Sequence, residues 1–194
     1  MNFRLILLIA VAIAMLTAGC DGSSSNICPP MGNITTIDNP ESALNVNDLV
    51  GSNVPVFHWN AIECKSLQIL PKSMHNGEYL GKPVIVVFHK VMNCPGCKYQ
   101  LPFLQAVYGK WKDRGLIILT IYRGDKPKEM KGYIQTNKIE FIALADPGDI
   151  VATKLGFAVG APMNIFIDKE GTIKAYKIGP LQNEAEIETI LKTL

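Results

Sequence analysis

The sequence predicts an α/β protein: a central mixed β-sheet flanked by helices, with a short N-terminal β extension. Three observations carry that expectation. From Val84 onward, apolar β-rich runs and helical patterns follow in the order β-α-β-α-β-α-β-β-α. Alternation of this kind implies parallel strands joined by covering helices. The run Val84-Ile85-Val86-Val87-Phe88 has no period of two, as expected for a central strand covered on both faces. The last two strands are separated only by the turn Asp168-Lys169-Glu170-Gly171. They form an antiparallel hairpin, so the sheet must be mixed.

The chain opens with Asn2 and Arg4, an apolar run from Leu5 to Leu16, then Thr17-Ala18-Gly19-Cys20. This is the charged start, apolar stretch and small-residue cleavage site of a signal peptide, expected over residues 1–19. The apolar run is short for a membrane span. Residues 20–50 contain Ser23-Ser24-Ser25, Pro29-Pro30, Gly32 and several Asn, with no sustained apolar period. They read as a flexible tether. Residues 51–194 are expected to form one domain. The chain has 194 residues, and the ~175 left after cleavage suffice for one core plus a tether.

Within the domain, Val54 to Trp59 reads as a short extended stretch with Pro55 favouring an edge position. Ser66 to Leu70 is a second, ended by Pro71, with Cys64 in the loop between them. Asn76-Gly77 marks a turn. After the central strand, His89 to Asn93 leads to a helix whose apolar residues Leu101, Leu104, Val107, Tyr108 and Trp111 share one face. Pro102 is expected to kink that helix, and Gly115 to end it. A strand over Leu116–Tyr122 follows, then a helix over Pro127–Lys138 after Asp125, a residue suited to capping. Next come a strand over Phe141–Ala145 and a short helix over Asp149–Leu155. The hairpin strands are Met163–Ile167 and Thr172–Ile178. A closing helix over Asn183–Leu194 turns Ala185, Ile187, Ile190, Leu191 and Leu194 inward.

The chemistry-bearing motif is Cys94-Pro95-Gly96-Cys97, placed where the central strand feeds a helix. Pro95 suits the first helical turn, where its missing N–H costs nothing. A cysteine at a helix start meets free backbone N–H groups and the positive end of the dipole, and both favour thiolate. The pattern is that of a dithiol, in which one thiolate attacks a disulfide and the second resolves the mixed disulfide; a plain structural disulfide is the alternative. A zinc site would need a second Cys or His pair at ligand spacing, and none is present in the sequence. The expected cofactor list is therefore empty apart from the redox-active disulfide Cys94–Cys97, with no metal. A net charge of +2 with no basic stripe argues against nucleic acid as a partner. Five cysteines are an odd number. Cys28 could pair with Cys64 or stay free.

The segment ending in Ala18-Gly19-Cys20 resembles the lipobox of bacterial lipoproteins, with Thr17 where Leu is usual. That resemblance implies lipidation of Cys20 and attachment to a bacterial cell membrane, facing the extracytoplasmic side, where disulfides persist. Asp21 resembles an inner-membrane retention signal. From about Val54 to Leu194 the chain resembles the thioredoxin fold. It looks most like the membrane-tethered, extracytoplasmic proteins related to cytochrome c maturation reductases and the AhpC-TSA group. The residues that carry this are Gly81-Lys82-Pro83 with the strand after it, Cys94-Pro95-Gly96-Cys97-Lys98, Pro102, Gly160-Ala161-Pro162, and Phe166-Ile167-Asp168 with Gly171.

The resemblance implies an enzyme: a thiol–disulfide oxidoreductase, reducing in direction, serving redox homeostasis through protein thiols and disulfides outside the cytoplasm. It would exchange electrons with an upstream membrane donor or acceptor. Cys94 matches the attacking cysteine and Cys97 the resolving one. Pro162 matches a cis-proline beside the dithiol, and Ala161 the residue that pairs with substrate backbone. Departures bear on tuning. Asn93 stands where an aromatic is usual, and Gln100 where related reductases often carry Glu. Gln100 cannot take a proton from Cys97, which leaves His89 and Lys90 as alternatives, His89 the better by intrinsic pKa. Pro95 and Gly96 complete the residues expected to tune the pair. Two other functions are weighed. A thiol peroxidase needs a hydroxyl residue three before the cysteine, where this chain has Val91, and an arginine, for which Arg123 is the nearest. A metal-binding or chaperone module would space its cysteines differently.

Overall fold

The computed structural model describes residues 27–38, 48–156 and 160–194. The expected signal peptide and Cys20 lie outside the described residues. Among these described residues eight strands form one mixed sheet in the order β3-β2-β1-β6-β5-β4-β7-β8. They are β1 (Met31–Ile37), β2 (Phe57–Ile62), β3 (Ile69–His75), β4 (Val84–His89), β5 (Ile117–Arg123), β6 (Ile142–Asp146), β7 (Met163–Ile167) and β8 (Ile173–Ile178). The helices are α1 (Pro95–Trp111), α2 (Pro127–Asn137), α3 (Ile150–Lys154) and α4 (Glu184–Leu191). Strands β4, β5, β6 and β1 run parallel, and β7 is antiparallel to β4.

The sheet divides the core in two, because alternate residues of a strand face opposite sides. Ile85 and Val87 face the layer of α1, α2 and α4, against Leu101, Leu104, Met130, Ile134, Ile187 and Leu191. Val84, Val86 and Phe88 face the other side, with Val151 and Ala152 of α3 and with Leu49, Phe57 and Trp59. All six residues of β4 are buried, which explains its unbroken apolar run.

Four sequence expectations need correction. The tether does not reach residue 50: Met31–Ile37 is β1, hydrogen-bonded between β2 and β6. Its Gly32 reads as a loop residue but is a packing requirement, because a Cβ there would stand 2.3 Å from the Trp59 ring. Pro71 does not end the second short strand. It sits inside β3, on the sheet edge, where a missing N–H costs no ladder bond. Asp125 does not cap α2: Lys126 holds the N-cap place, and the Glu129 carboxylate accepts its N–H at 2.8 Å. Ala185 is exposed, whereas Ile187 and Leu191 are buried. Gly115, at φ +90°, terminates the helical stretch as expected.

Cys28 and Cys64 are joined, closing a separation of 36 residues. Met31 pairs with Ala143 near the start of β6 and with Ile62 at the end of β2. This disulfide therefore lies beyond the N-terminal ends of the parallel strands. The Cys94–Cys97 pair lies beyond their C-terminal ends, roughly 20 Å away at ~3.3 Å per strand residue.

Candidate functional site

Strand β4 ends at His89, one residue later than the sequence suggests, and residues 90–93 carry the chain to α1. The Val91 N–H donates to the Asp125 carboxylate at 2.8 Å, tying this loop to the end of β5. Burial raises the Asp125 pKa, and the Val91 bond opposes the shift. Asn93 is exposed and takes φ +55°. Asn is among the few residues that adopt this left-handed conformation readily, and it lets the chain enter the helix at Cys94.

Cys94 is the N-cap of α1 and is bonded to Cys97. Its sulfur accepts the Cys97 N–H at 3.3 Å. That amide is one of the unpaired donors of a helix start, and a thiolate at the same place would receive it more strongly. Pro95 is the first helical residue and is exposed. Cys97 has no exposed surface, and Cys94 is 5% exposed. Both cysteines are thus buried, and of the two only Cys94 keeps any exposed surface.

The Ala161–Pro162 peptide bond is cis. Pro162 packs on the helix start so closely that a Cβ on Gly96 would lie 2.9 Å from its Cδ, with Pro180 Cδ at 3.5 Å. The structure thus brings together Cys94, Cys97, Gly96, Ala161 and Pro162, residues separated by more than sixty positions in the chain.

Gln100 lies one turn beyond Cys97, fully buried. It forms a reciprocal amide pair with Asn164 of β7, both bonds 3.1 Å, and its Oε1 also accepts the Leu181 N–H at 3.0 Å. Asn164 additionally donates to the Gly179 carbonyl at 3.3 Å, and the Gly179 N–H donates to the Pro162 carbonyl at 2.9 Å. This neutral network joins the dithiol helix to the proline strand. Sequence reasoning missed Asn164, although a lone Asn inside the apolar run Met163–Ile167 was a legible signal.

His89 makes no hydrogen bond to either cysteine, which are joined as a disulfide in this structure. It is 2% exposed, and its ring packs on Tyr122 and Tyr133, with centroids 5.0 and 4.9 Å away. Its Nε2 has no hydrogen-bond partner, and burial pushes its pKa down to about 4. Lys90 is exposed. Arg123, 5% exposed, is committed elsewhere: Nε and Nη2 bind the Asp149 carboxylate at 2.6 and 2.5 Å, and Nη1 the Gly160 carbonyl at 2.5 Å. Among the described residues no cluster of three His, Cys, Asp or Glu could hold a metal ion. No helix among them is long and apolar enough to cross a membrane. An apolar cavity of about 230 Å³, lined by Val54, Val56, Tyr79, Val84 and Ile167, lies at the other end of β4 from the dithiol.

With this geometry in place, the model of the AhpC/TSA family matches residues 50–176. The chain belongs to the AhpC/TSA family. Its similarities within and around that family point two ways. A chloroplastic peroxiredoxin Q of Gentiana triflora is 29% identical over 133 residues, 63% of this chain and 59% of that protein. The chain thus spans less than two thirds of that relative. The thiol-disulfide oxidoreductase ResA of Bacillus cereus is 22% identical over 145 residues, 75% of this chain and 78% of the relative. Among solved structures, a thiol:disulfide interchange protein of the thioredoxin family from Chlorobium tepidum superposes with a TM-score of 0.59 at 23% identity, over 75% of this chain and 97% of that one. A thiol:disulfide interchange protein from Bacteroides sp. also gives 0.59, at 24% identity over 76% and 89%. At these identities the likeness speaks to the fold, which is the thioredoxin fold expected from the sequence.

Proposed function

We propose that this protein is a lipid-anchored thiol–disulfide oxidoreductase that reduces protein disulfides on the extracytoplasmic side of a bacterial membrane. The observation that carries the reading is Cys94 at the N-cap of α1, with the Cys97 amide donating to its sulfur and cis-Pro162 against Gly96 beside it. In the reduced protein the Cys94 thiolate attacks one sulfur of a substrate disulfide and expels the other as a thiolate. The Cys97 thiolate then attacks Cys94 Sγ, releasing the substrate as a dithiol and forming the Cys94–Cys97 disulfide. Two electrons pass from protein to substrate, and a membrane donor must return two for the next cycle. The substrate backbone pairs with Ala161 as an added strand.

Peroxidase chemistry is the second reading, favoured by the peroxiredoxin Q likeness. The site supports it poorly. Position 91 is Val, and Arg123 spends its donors on Asp149 and Gly160.

A trap tests the first reading. A Cys97→Ala protein, unable to resolve, is expected to accumulate mixed disulfides with extracytoplasmic proteins through Cys94. An empty trap, together with rapid peroxide turnover by the unaltered protein, would replace exchange with peroxidase function. Equilibration in glutathione buffers tests direction, since a strongly oxidising potential contradicts a reductase. Cys20→Ala is expected to move the protein from the membrane to the soluble fraction.

A further inference from the structure

We propose that Arg123 is a positioning residue that sets the substrate-pairing edge at Ala161, an inference that rests on the exchange function above. The guanidinium lies at the end of β5, almost wholly buried. Asp149 takes two of its donors in a fork, the geometry in which Arg binds a carboxylate most firmly. That pairing fixes the guanidinium plane and leaves Nη1 aimed at the Gly160 carbonyl. Asp149 is itself held. Its N–H donates to the Asp146 carbonyl, and the Asp146 carboxylate accepts the N–H groups of Ile150 and Val151 at the start of α3.

The consequence follows from peptide planarity. In a trans peptide the carbonyl and the following N–H point in opposite directions. The cis bond of this segment is the next one along, between Ala161 and Pro162. Drawing the Gly160 carbonyl inward onto a buried cation therefore turns the Ala161 N–H away from Arg123. That N–H donates to none of the described residues. It is an open main-chain donor next to Pro162, which packs on Gly96 of the dithiol turn, and it is held by a charge-assisted bond on the far side of its own peptide plane. Gly160 takes φ +70°, a conformation that costs glycine little. The chemical class that fits is an extended polypeptide bearing a disulfide, whose backbone carbonyl meets the Ala161 N–H. A small disulfide without a backbone makes no use of this donor.

The experiment compares two oxidants of the reduced protein, a disulfide-bearing peptide and bis(2-hydroxyethyl) disulfide. Arg123→Met is expected to raise the peptide KM about tenfold with kcat within about twofold, while the rate with the small disulfide falls by no more than about twofold. Equal losses on both oxidants would mean general disorder of the site and would overturn the proposal, as would an unchanged peptide KM. If Arg123→Met does not fold, as judged by its circular dichroism, Asp149→Asn decides. It loosens the fork and is expected to raise the peptide KM about threefold with the same selectivity. An unaltered protein that oxidises with neither disulfide contradicts the exchange function itself, a result distinct from loss of the peptide preference alone.

Discussion

His89 shows what a single buried side chain does to this molecule. Its ring packs against both Tyr122 and Tyr133, 2% exposed, with burial depressing its pKa to about 4 from 6.5. The folded form keeps it neutral, while the unfolded chain protonates it below about pH 6.5. Its contribution to stability is thus fully present above that pH and is lost as pH falls from about 6.5 toward 4, below which no further loss occurs. The loss amounts to roughly 3 kcal/mol for a shift of this size. Urea midpoints measured between pH 4 and 7 should show it, and His89→Phe should flatten the profile. A profile equally steep in the variant would assign the acid sensitivity elsewhere. Gly96 acts by absence. A methyl there meets Pro162 Cδ at 2.9 Å, so Gly96→Ala must push the helix start from the proline loop. It is expected to cost about 1–3 kcal/mol, as overpacking does, and to slow disulfide exchange about tenfold, read by stopped-flow.

At the scale of elements, helix α1 owes its chemistry to its first turn. Its N-terminal amides are unpaired by construction, and Cys94 stands where one of them can serve sulfur. Two ties flank that turn, Asp125 to Val91 before it and the Gln100–Asn164 amide pair after it, while Gly179 to Pro162 holds the proline loop that packs on Gly96. Because the amide pair is neutral, it does not titrate. Gln100→Glu places a carboxyl among buried amides near Cys97, where desolvation raises its pKa. Exchange in that variant should gain a new pH dependence, absent from the unaltered protein, in a pH–rate profile. The other disulfide acts on stability. Closing a 36-residue separation between Cys28 and Cys64 constrains the unfolded chain by about 3–4 kcal/mol in the loop-entropy view. Replacing both by Ala should lower the unfolding free energy by about that amount and leave the exchange rate within about twofold, since the two disulfides lie at opposite ends of the sheet.

For the whole molecule, the consequential strand is β1. It lies inside the sheet between β2 and β6, although the family match starts only at residue 50. A chain beginning at Gly51 would lose β1 and the Cys28–Cys64 bond together. It would expose the edge of β6 and undock the β2–β3 hairpin, and bare edges invite aggregation. Its thermal unfolding should lose cooperativity or give way to aggregation, whereas a chain beginning at Ile27 should unfold in one transition. An equally cooperative transition from Gly51 would show that β1 is dispensable.

The elements from Val84 onward were legible because each carries its own periodicity. The fully buried β4 reads as an unbroken apolar run, and the Pro95 start and Gly115 stop of the helical stretch follow from local backbone chemistry. The dithiol was legible for the same reason, since two cysteines one turn apart at a helix start need no distant partner to be recognised. Strand β1 was hidden because Met31–Ile37 gains its stability from two neighbouring strands and a disulfide, and its glycine is set by the distant Trp59 ring. Asn164 and Arg123 were hidden likewise: their roles consist of hydrogen bonds to residues 64 and 37 positions away. The sequence by itself determined the fold class and the placing of Cys94 and Cys97 one turn apart at a helix start, because short-range geometry specifies both. The tertiary structure alone decided what surrounds them: a neutral amide pair behind Cys97, a buried histidine without a hydrogen bond to either cysteine, and a buried arginine gripping the proline loop. Those assignments depend on long-range contacts and burial, which no local pattern encodes.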